Sequence, residues 1–323
     1  MKHKPIIIVL GEPFSVFPEI LFKCIKKKIL IKCKRPIIII GSIDLIKRQM
    51  KFFKYRFKIN EIENKNISSI KNNSKINIIN VKLETKKIFE KNPDVSKKYI
   101  EKSFRIALEI LKKNLAIGMI NGPINKKKFL NKKFEGITEY LVKNTNTSKY
   151  AMLIYNRDLS VCPITTHIPL KNVISKIKVG PIVEKILLIN KFYKSKLKIN
   201  PKFAILGLNP HCETNHKISE EEKIIKPAIN LIRRMKISIE GPLSADTFFI
   251  KNNYKNFNIV VGMYHDQVLT PIKTLFNFNA INLTIGLPFI RISPDHGPNE
   301  KMVSKGISDP LSLINSINFF ERL

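Results

Sequence analysis

Short runs of apolar, mostly β-branched residues recur along the chain, separated by longer segments in which apolar positions repeat with a helical period. Near the N-terminus, residues 6–10 and 36–41 are runs of this kind, and each is followed by a helix-like segment. Short apolar runs bounded by turn residues are typical of strands buried on both faces. Their alternation with helices predicts an α/β fold with mainly parallel strands.

The same pattern predicts the other elements. Helices are expected at 18–30, from 42, at 96–113, at 170–191 with a break at Gly180-Pro181, at 219–235 and from Asp309-Pro310 to the C-terminus. Ser219 and Glu222 have the spacing of a capping box for the fifth of these helices. Residues 60–80 are rich in Asn, Lys, Ser and Ile, and we interpret them as a loosely specified insertion or edge region.

Three of the six histidines follow predicted strands. The runs at 161–164, 203–208 and 258–263 lead to His167, His211 and His265. Because ligands bind at the carboxyl ends of parallel strands, one divalent metal ion could collect all three imidazoles. Three ligands with one open position are typical of a catalytic metal site. The alternative is that each histidine is a hydrogen-bonded packing residue.

Polar residues also follow the ends of two other predicted strands. Asn125 and Lys126 follow the strand at 116–120, and they either contact a phosphate or carboxylate or form a solvated turn. The strand-exit loop at 241–246 ends in the carboxylate of Asp246. Cys212 lies beside His211 and offers a further metal ligand, although adjacent residues rarely face the same ion.

The length and net charge of the chain limit the classes of protein to which it can belong. A chain of 323 residues suggests two lobes. No apolar run approaches the ~20 residues of a membrane span, and no signal-peptide pattern is present, so we expect a cytoplasmic protein. The four cysteines show no C-x-x-C spacing, which predicts reduced thiols. The net charge of +33 would suit a nucleic-acid-binding protein. However, the lysines are spread over nearly every segment, together with many Ile and Asn residues, and no nucleic-acid-binding motif is present. We therefore expect the positive field to attract a small anionic substrate, with neither a membrane nor a specific nucleic acid as partner.

The strand-exit loops, taken in order, resemble those of the 4-hydroxythreonine-4-phosphate dehydrogenase family, which are NAD-dependent enzymes of pyridoxal phosphate synthesis. The resemblance rests on stretches that span almost the full length: Gly11-Glu12-Pro13 with Pro18-Glu19, Asn121 to Lys126, Gly136 to Glu139, Thr165 to Pro169, Leu208 to His211, Gly241 to Asp246, Tyr264 to Gln267, and Gly286 to Gly297.

The resemblance implies an isocitrate/isopropylmalate dehydrogenase-like fold, with two α/β lobes around a cleft, and a homodimer. It implies that His167, His211 and His265 bind one divalent metal per subunit (Zn, Mg or Co) and act in catalysis through it. The substrate-binding positions would be Ile137, Thr138, Lys273, Asn282 and Arg291, with Lys273 also catalytic. Asp246 and Asp295 would orient histidines or the cofactor, NAD or NADP, or else cap loops. Lacking a Gly-rich fingerprint, the chain would bind that cofactor outside the usual Rossmann scheme.

The reaction implied is oxidation and decarboxylation of 4-phosphooxy-L-threonine to 3-amino-2-oxopropyl phosphate. We expect a first lobe of residues 1–125 plus 266–323, and a second lobe of 126–265 that carries much of the metal site and dimer interface. Ile137 departs from the family, which usually has histidine there, and glycines are replaced at Ser15, Phe17, Glu213 and Ser219. The alternative to an active enzyme is therefore a degenerate member that binds ligands with little turnover.

Overall fold

The computed structural model divides the chain into two compact units. It describes residues 3–72, 75–86, 88–89, 93–125, 136–212, 218–277, 279–294 and 297–323. The first unit combines Met1–Thr145 with Pro288–Leu323, and the second is the continuous stretch Asn146–Leu287. Alternating strands and helices build both units, so the predicted α/β class is confirmed.

The strands are β1 (Ile6–Val9), β2 (Ile37–Gly41), β3 (Lys58–Glu61), β4 (Lys75–Asn80), β5 (Gly118–Asn121), β6 (Ala151–Tyr155), β7 (Ser160–Pro163), β8 (Phe203–Leu206), β9 (Ile239–Leu243), β10 (Ile259–Gly262), β11 (Ile281–Ile285) and β12 (Ile290–Pro294).

The α-helices are α1 (Phe17–Lys26), α2 (Ile29–Lys32), α3 (Ile43–Phe52), α4 (Pro93–Lys112), α5 (Ile137–Asn144), α6 (Val173–Lys176), α7 (Val179–Phe192), α8 (Lys226–Arg234), α9 (Ala245–Phe248), α10 (His265–Phe276) and α11 (Leu311–Glu321). Short 3-10 turns lie at Asn64–Ser69, Leu170–Asn172, Pro210–Cys212, Ile250–Asn256 and Glu300–Met302, and π-helical turns at Tyr193–Leu197 and Glu221–Ile225.

The first unit has a parallel sheet in the order β3-β4-β2-β1-β5-β12. Every residue of β1 is 0% exposed, because β2 and β5 pair with its two edges and α4 packs on it. Branched isoleucines dominate β1 and β2, in keeping with strands that are buried on both faces. This core places the carboxyl end of β5, with Asn121, beside that of β12.

The second unit has a mixed sheet in the order β11-β6-β7-β10-β8-β9. β6 pairs antiparallel with both β11 and β7, whereas β7, β10, β8 and β9 run parallel. The parallel strands are the ones that lead to the three histidines. Their core is apolar throughout, and β7, β8 and β10 are buried along their whole length.

Residues 60–80 are not a loose insertion, whereas the alternative interpretation, an edge region, agrees with the place of β3 and β4 at one end of the sheet. β4 lies second in the first sheet, where Ile78 pairs with Ile39 of β2 and is 0% exposed. Lys75, Asn77 and Asn80 break up the apolar run, which hides the strand in the sequence. Only β3, which is half-exposed, forms the edge of the sheet.

The structure tests two details of the predicted helices, the break in the segment at 170–191 and the capping box at Ser219. The helical segment at 170–191 breaks before Val179, and Gly180 and Pro181 lie in the first turn of α7. Proline is tolerated there because the first amide groups of a helix have no partner within it. At the predicted capping box, the Ser219 hydroxyl accepts a hydrogen bond from the backbone N–H of Glu222 at 3.3 Å. The carboxylate of Glu222 forms an ion pair with Lys226.

The chain crosses between the units later than the expected positions near 125 and 265. α5 belongs to the first unit, in which Tyr140 packs against Phe104 with ring centroids 6.0 Å apart. α10 belongs to the second unit, because it packs on β7 and β10. Side-chain packing of these two helices, rather than the ends of the preceding strands, therefore decides the boundaries.

The four cysteines are free thiols, as expected. Burial raises the pKa of Cys24 to about 12 and that of Cys162 to about 11, so both thiols stay protonated at neutral pH. Among the helices in the described ranges, no apolar stretch reaches the length of a bilayer span.

If β4 is a true core strand, Ile78→Ala should destabilise the protein strongly. Removing a fully buried isoleucine side chain costs about 2–5 kcal/mol of unfolding free energy. The measurement is urea unfolding followed by circular dichroism. Ile31→Ala is the matched control, because Ile31 is 43% exposed and should change stability by less than about 1 kcal/mol. Equal stabilities of the two variants would contradict the assignment of β4 to the core.

Candidate active site

The exits of β7, β10 and β8 lie side by side at one edge of the second sheet. β10 is the middle strand, paired in parallel with β7 (Gly262 opposite Pro163) and with β8 (Val261 opposite Ile205). The chain therefore leaves all three strands in the same direction, as predicted for the carboxyl edge of a parallel sheet. The loops that follow carry His167, His265 and His211.

His167 and His265 lie close together. Their ring centroids are 5.7 Å apart. The two loops are joined by Thr165, whose hydroxyl and backbone N–H both donate to the carbonyl of Met263, at 2.8 and 3.2 Å. Nδ1 of His265, which begins α10, is 2.7 Å from Oδ1 of Asp266. A threonine in the predicted TTH stretch thus fixes the spacing of two candidate ligands.

His211 is placed beside Asp246. Nδ1 of His211 is 3.6 Å from Oδ2 of the carboxylate. The hydrogen bond from the Ser244 hydroxyl is the main influence that lowers the pKa of Asp246, and His211 lowers it further. An ionised carboxylate at this position favours the orienting role predicted for Asp246.

The three histidines therefore appear as a His167–His265 pair and a His211–Asp246 pair. No three His, Cys, Asp or Glu side chains in the described ranges lie close enough together to hold a metal ion. Imidazole and carboxylate are nevertheless the donor types that suit divalent metals such as zinc and cobalt. The assignment of His167, His211 and His265 as one ligand set stays a prediction.

Arg291 forms the polar centre of the first unit. It lies on β12 and is only 1% exposed. Its Nε donates to Oδ1 of Asn121 at 2.6 Å, and its Nη1 donates to the Thr138 hydroxyl at 3.4 Å. Burial lowers the pKa of Arg291 to about 10, against the opposing effect of Glu139, so the guanidinium remains charged at neutral pH. A buried charge of this kind persists only where hydrogen bonds compensate it.

Ile137 lies beside this centre, in the first turn of α5, and is 8% exposed. It lines a pocket of about 440 Å³ together with Asn121, Asn125, Ser293 and other residues of the first unit. The residue that replaces the usual family histidine therefore contributes an apolar wall where a hydrogen-bonding group would otherwise stand. Lys126, which was predicted to follow Asn125 into this region, lies outside the described residues.

The remaining predicted residues are on the second unit or outside the described ranges. Asn282 lies on β11 opposite Ile154, and its Oδ1 is buried without a hydrogen-bond partner in the described part of the chain. Lys273 is exposed on α10. Asp295 lies outside the described residues. A pocket of about 580 Å³ between α9 and α10 is lined by Asp246, Asp266 and Gln267 among others.

Two site residues were missed by the sequence analysis. Gln267 bridges the exits of β10 and β8, because its amide accepts from the Met263 N–H and donates to the Gly207 carbonyl, both at 2.7 Å. Glu221 is fully buried and accepts hydrogen bonds from the loop before His211. The signal for Glu221 was present: it falls on the apolar face of its helix, at helical spacing from Ile225.

Comparisons with known proteins agree over nearly the whole chain. The sequence model described as "Pyridoxal phosphate biosynthetic protein PdxA" matches residues 32–320. A 4-hydroxythreonine-4-phosphate dehydrogenase of Sulfurihydrogenibium sp. (strain YO3AOP1) is 40% identical over 314 residues, which are 96% of this chain and 95% of that protein. A D-threonate 4-phosphate dehydrogenase of Pectobacterium atrosepticum is 29% identical over 332 residues, which are 99% of each. A crystal structure of a 4-hydroxythreonine-4-phosphate dehydrogenase from Klebsiella pneumoniae superposes with a TM-score of 0.84. The alignment covers 99% of this chain and 100% of that protein, and the two sequences are 27% identical.

Arg291→Lys should destabilise the protein although it keeps the charge. Lysine lacks the planar fork that reaches Asn121 and Thr138 together, so the unfolding free energy should fall by about 2–4 kcal/mol. Urea unfolding at neutral pH measures the change. The control is Arg105→Lys at an exposed position of α4, which should lie within about 0.5 kcal/mol of the wild type. An Arg291→Lys protein as stable as this control would rule out a structural role for the guanidinium fork.

Proposed function

The chain belongs to the family of the pyridoxal phosphate biosynthetic protein PdxA, and from this premise we propose that it is a dehydrogenase that oxidises and decarboxylates 4-phosphooxy-L-threonine. The family predicted from the sequence motifs is thus confirmed. The observation that carries the proposal is the arrangement of β7, β10, β8 and β9, whose adjacent exits bring three histidines and, after β9, Asp246 to one edge of the second sheet.

The reaction consists of an oxidation and a loss of carbon dioxide. The secondary alcohol carbon of the substrate would give up a hydride, for which NAD or NADP would be the acceptor when bound, and its hydroxyl group would lose a proton. The resulting β-keto acid releases its carboxylate as carbon dioxide and takes up a proton at the adjacent carbon. The product is 3-amino-2-oxopropyl phosphate.

Three imidazoles would hold a divalent cation, which is zinc, magnesium or cobalt in this proposal. When bound, such a cation lowers the pKa of a coordinated hydroxyl group and polarises the carbonyl that forms from it. His167, His211 and His265 are the proposed ligands, and Asp246 orients the imidazole of His211. Imidazole coordinates a cation through an unprotonated ring nitrogen.

Thr138, Lys273, Asn282 and Arg291 are the proposed substrate-binding residues. The positive charge of Lys273 suits a phosphate group. The buried Oδ1 of Asn282, which has no hydrogen-bond partner among the described residues, suits a donor such as an ammonium group. Arg291 is bonded to Asn121 and Thr138, so we assign it a double role: it holds Thr138 in place and supplies positive charge from within the first unit.

The finer assignments follow the family. We propose a homodimer that acts in the cytoplasm, with NAD or NADP as the hydride acceptor. The pervasive lysines supply an attractive field for an anionic substrate. Asp246 and Asp295 are candidate cofactor contacts. A basic nucleic-acid-binding protein is the weaker alternative, and it predicts association with generic DNA or RNA that is highly sensitive to salt.

Specific observations favour two alternatives to this function, a family member of low turnover and an enzyme with a different substrate. Ile137 is an apolar residue at a substrate-binding position, which is what a degenerate member of low turnover would show. Similarity to a D-threonate 4-phosphate dehydrogenase over 99% of the chain makes D-threonate 4-phosphate the second candidate substrate.

The assay is NADH appearance at 340 nm with the purified protein, NAD and each of the two phosphorylated acids, after chelation and again with added Zn²⁺, Mg²⁺ or Co²⁺. We expect metal-dependent turnover of 4-phosphooxy-L-threonine. Faster turnover of D-threonate 4-phosphate would transfer the proposal to that substrate. No turnover of either, by a folded protein that binds the metal, would support the degenerate member.

His211→Ala should reduce kcat/KM by at least about a hundredfold, because it removes one of three proposed ligands, and should weaken Co²⁺ binding measured by calorimetry. His3→Ala serves as the control, since His3 is exposed near the N-terminus. Wild-type turnover by a metal-free His211→Ala protein would refute the metal-assisted mechanism.

Ile137→His restores the group that is usual in the family. One charge-assisted hydrogen bond changes binding by about 1.5–3 kcal/mol, so we expect kcat/KM to rise about tenfold to a hundredfold. Ile137→Leu keeps the pocket apolar and should leave kcat/KM within about threefold of the wild type. Equal kinetic constants for all three proteins would show that position 137 does not contact the substrate.

A further inference from the structure

Glu221 is a buried carboxylate that holds the chain just before His211. It lies in the π-helical turn ahead of α8 and is 0% exposed. Oε1 accepts hydrogen bonds from the backbone N–H groups of Leu208 at 2.7 Å and Asn209 at 2.8 Å. Oε2 accepts a third from Nδ2 of Asn209 at 2.8 Å. Burial, the largest single influence, raises the pKa of Glu221, but these hydrogen bonds together lower it below its ordinary value.

The turn that follows is in an unusual conformation. His211 and Cys212 both have positive φ angles, 57° and 56°, which non-glycine residues rarely adopt and which persist only where the surroundings hold them. The Asn209 carbonyl closes the turn by accepting from the Cys212 N–H at 3.2 Å. A Cβ at Gly207 would lie 2.5 Å from the Cys212 sulfur and 3.2 Å from Oε1 of Glu221, so a side chain at this position would displace one or both of these groups.

The His211 side chain does little to fix its own position. It is 70% exposed, and the Asp246 side chain beside it is 56% exposed. A contact between two exposed side chains contributes little free energy, because water competes with it. Asp246 can orient the ring, but the place of the imidazole at this edge depends on the backbone of the turn, and hence on the groups that bond residues 207–209.

Gln267 bonds the same stretch from the other side. Its Nε2 donates to the Gly207 carbonyl at 2.7 Å, while its Oε1 accepts from the Met263 N–H. Consecutive peptide groups from Gly207 to Asn209 are thus bonded by the side chains of two residues. Through Gln267, the turn that carries His211 is tied to the exit of β10, which carries His265.

We propose that Glu221 is the positioning residue for His211: its carboxylate holds the peptide groups of Leu208 and Asn209, and thereby keeps the imidazole at the edge it shares with His265. The inference rests on the proposed function in that His211 is taken as a metal ligand. Residues that orient a metal ligand affect metal affinity about tenfold to a hundredfold when they are changed.

The test compares Glu221→Gln with Glu222→Gln, the same chemical change one residue later. Glu222 pairs with Lys226 at the surface and makes no described contact with the loop. An amide at 221 presents a donor where Nδ2 of Asn209 needs an acceptor. We expect Glu221→Gln to speed hydrogen exchange at Leu208 and Asn209 at least tenfold and to weaken Co²⁺ binding about tenfold to a hundredfold. Exchange in β8 should stay unchanged, which would show that the effect is confined to the loop.

Wild-type exchange at Leu208 and Asn209 in Glu221→Gln, or equal Co²⁺ losses in the Glu222→Gln control, would overturn the proposal. If Glu221→Gln fails to fold, Asn209→Ala removes one of the three donors to Glu221, together with the hydrogen bond from the same Nδ2 to Oε2 of Glu220. That variant should bind Co²⁺ about three- to tenfold more weakly, and wild-type affinity would be an adverse result. The exchange rates are measured without substrate or metal, so a failure of the proposed dehydrogenase activity would not alter the reading of Glu221.

Discussion

Three parallel strands that hydrogen-bond side by side must end in the same direction, and this constraint gathers the chemistry of the second unit. β10 lies between β7 and β8, so the residues that follow each strand emerge at a common edge. Main-chain pairing alone brings the loops of His167, His211 and His265 into one neighbourhood, although they are separated in sequence. Side chains then refine the arrangement: Thr165 joins the exits of β7 and β10, and Gln267 joins the exits of β10 and β8.

In each unit a buried charged residue organises a strand exit or the loop that follows it. In the first unit, the guanidinium of Arg291 is bonded to Asn121 and Thr138. In the second, the carboxylate of Glu221 accepts from Leu208 and Asn209. Burying a charge is unfavourable unless several hydrogen bonds compensate it, so such residues tolerate few alternative geometries. They supply directional rigidity that the isoleucine-rich cores, held by non-directional packing, do not.

The sequence predicts what depends on local pattern. An apolar run followed by a turn and a histidine is a local signal, and the strands before His167, His211 and His265 lie where it indicated. β4 was missed because lysine and asparagine interrupt its apolar side, so only its pairing with β2 identifies it.

Long-range contacts explain the other omissions. Arg291 and Asn121 are 170 positions apart, and no short-range pattern links them. Glu221 lies on an apolar helix face, which indicates burial, but only the folded chain shows that it bonds Leu208 and Asn209. The expected boundaries between the units differ from those in the structure for a similar reason, because the packing of α5 and α10 decides where each unit ends.

The interrupted sequence of the first unit has a consequence for synthesis on the ribosome. β5 needs β12 as its second neighbour, and α11 then covers β12 and α1, yet both elements are made last. The second unit is continuous and is complete once residue 287 has emerged, so it can fold while the edge of β5 is still unpaired. An unpaired strand edge invites association with other chains, which makes the nascent first unit the vulnerable stage of biogenesis. The C-terminal 36 residues, Pro288–Leu323, end that exposure.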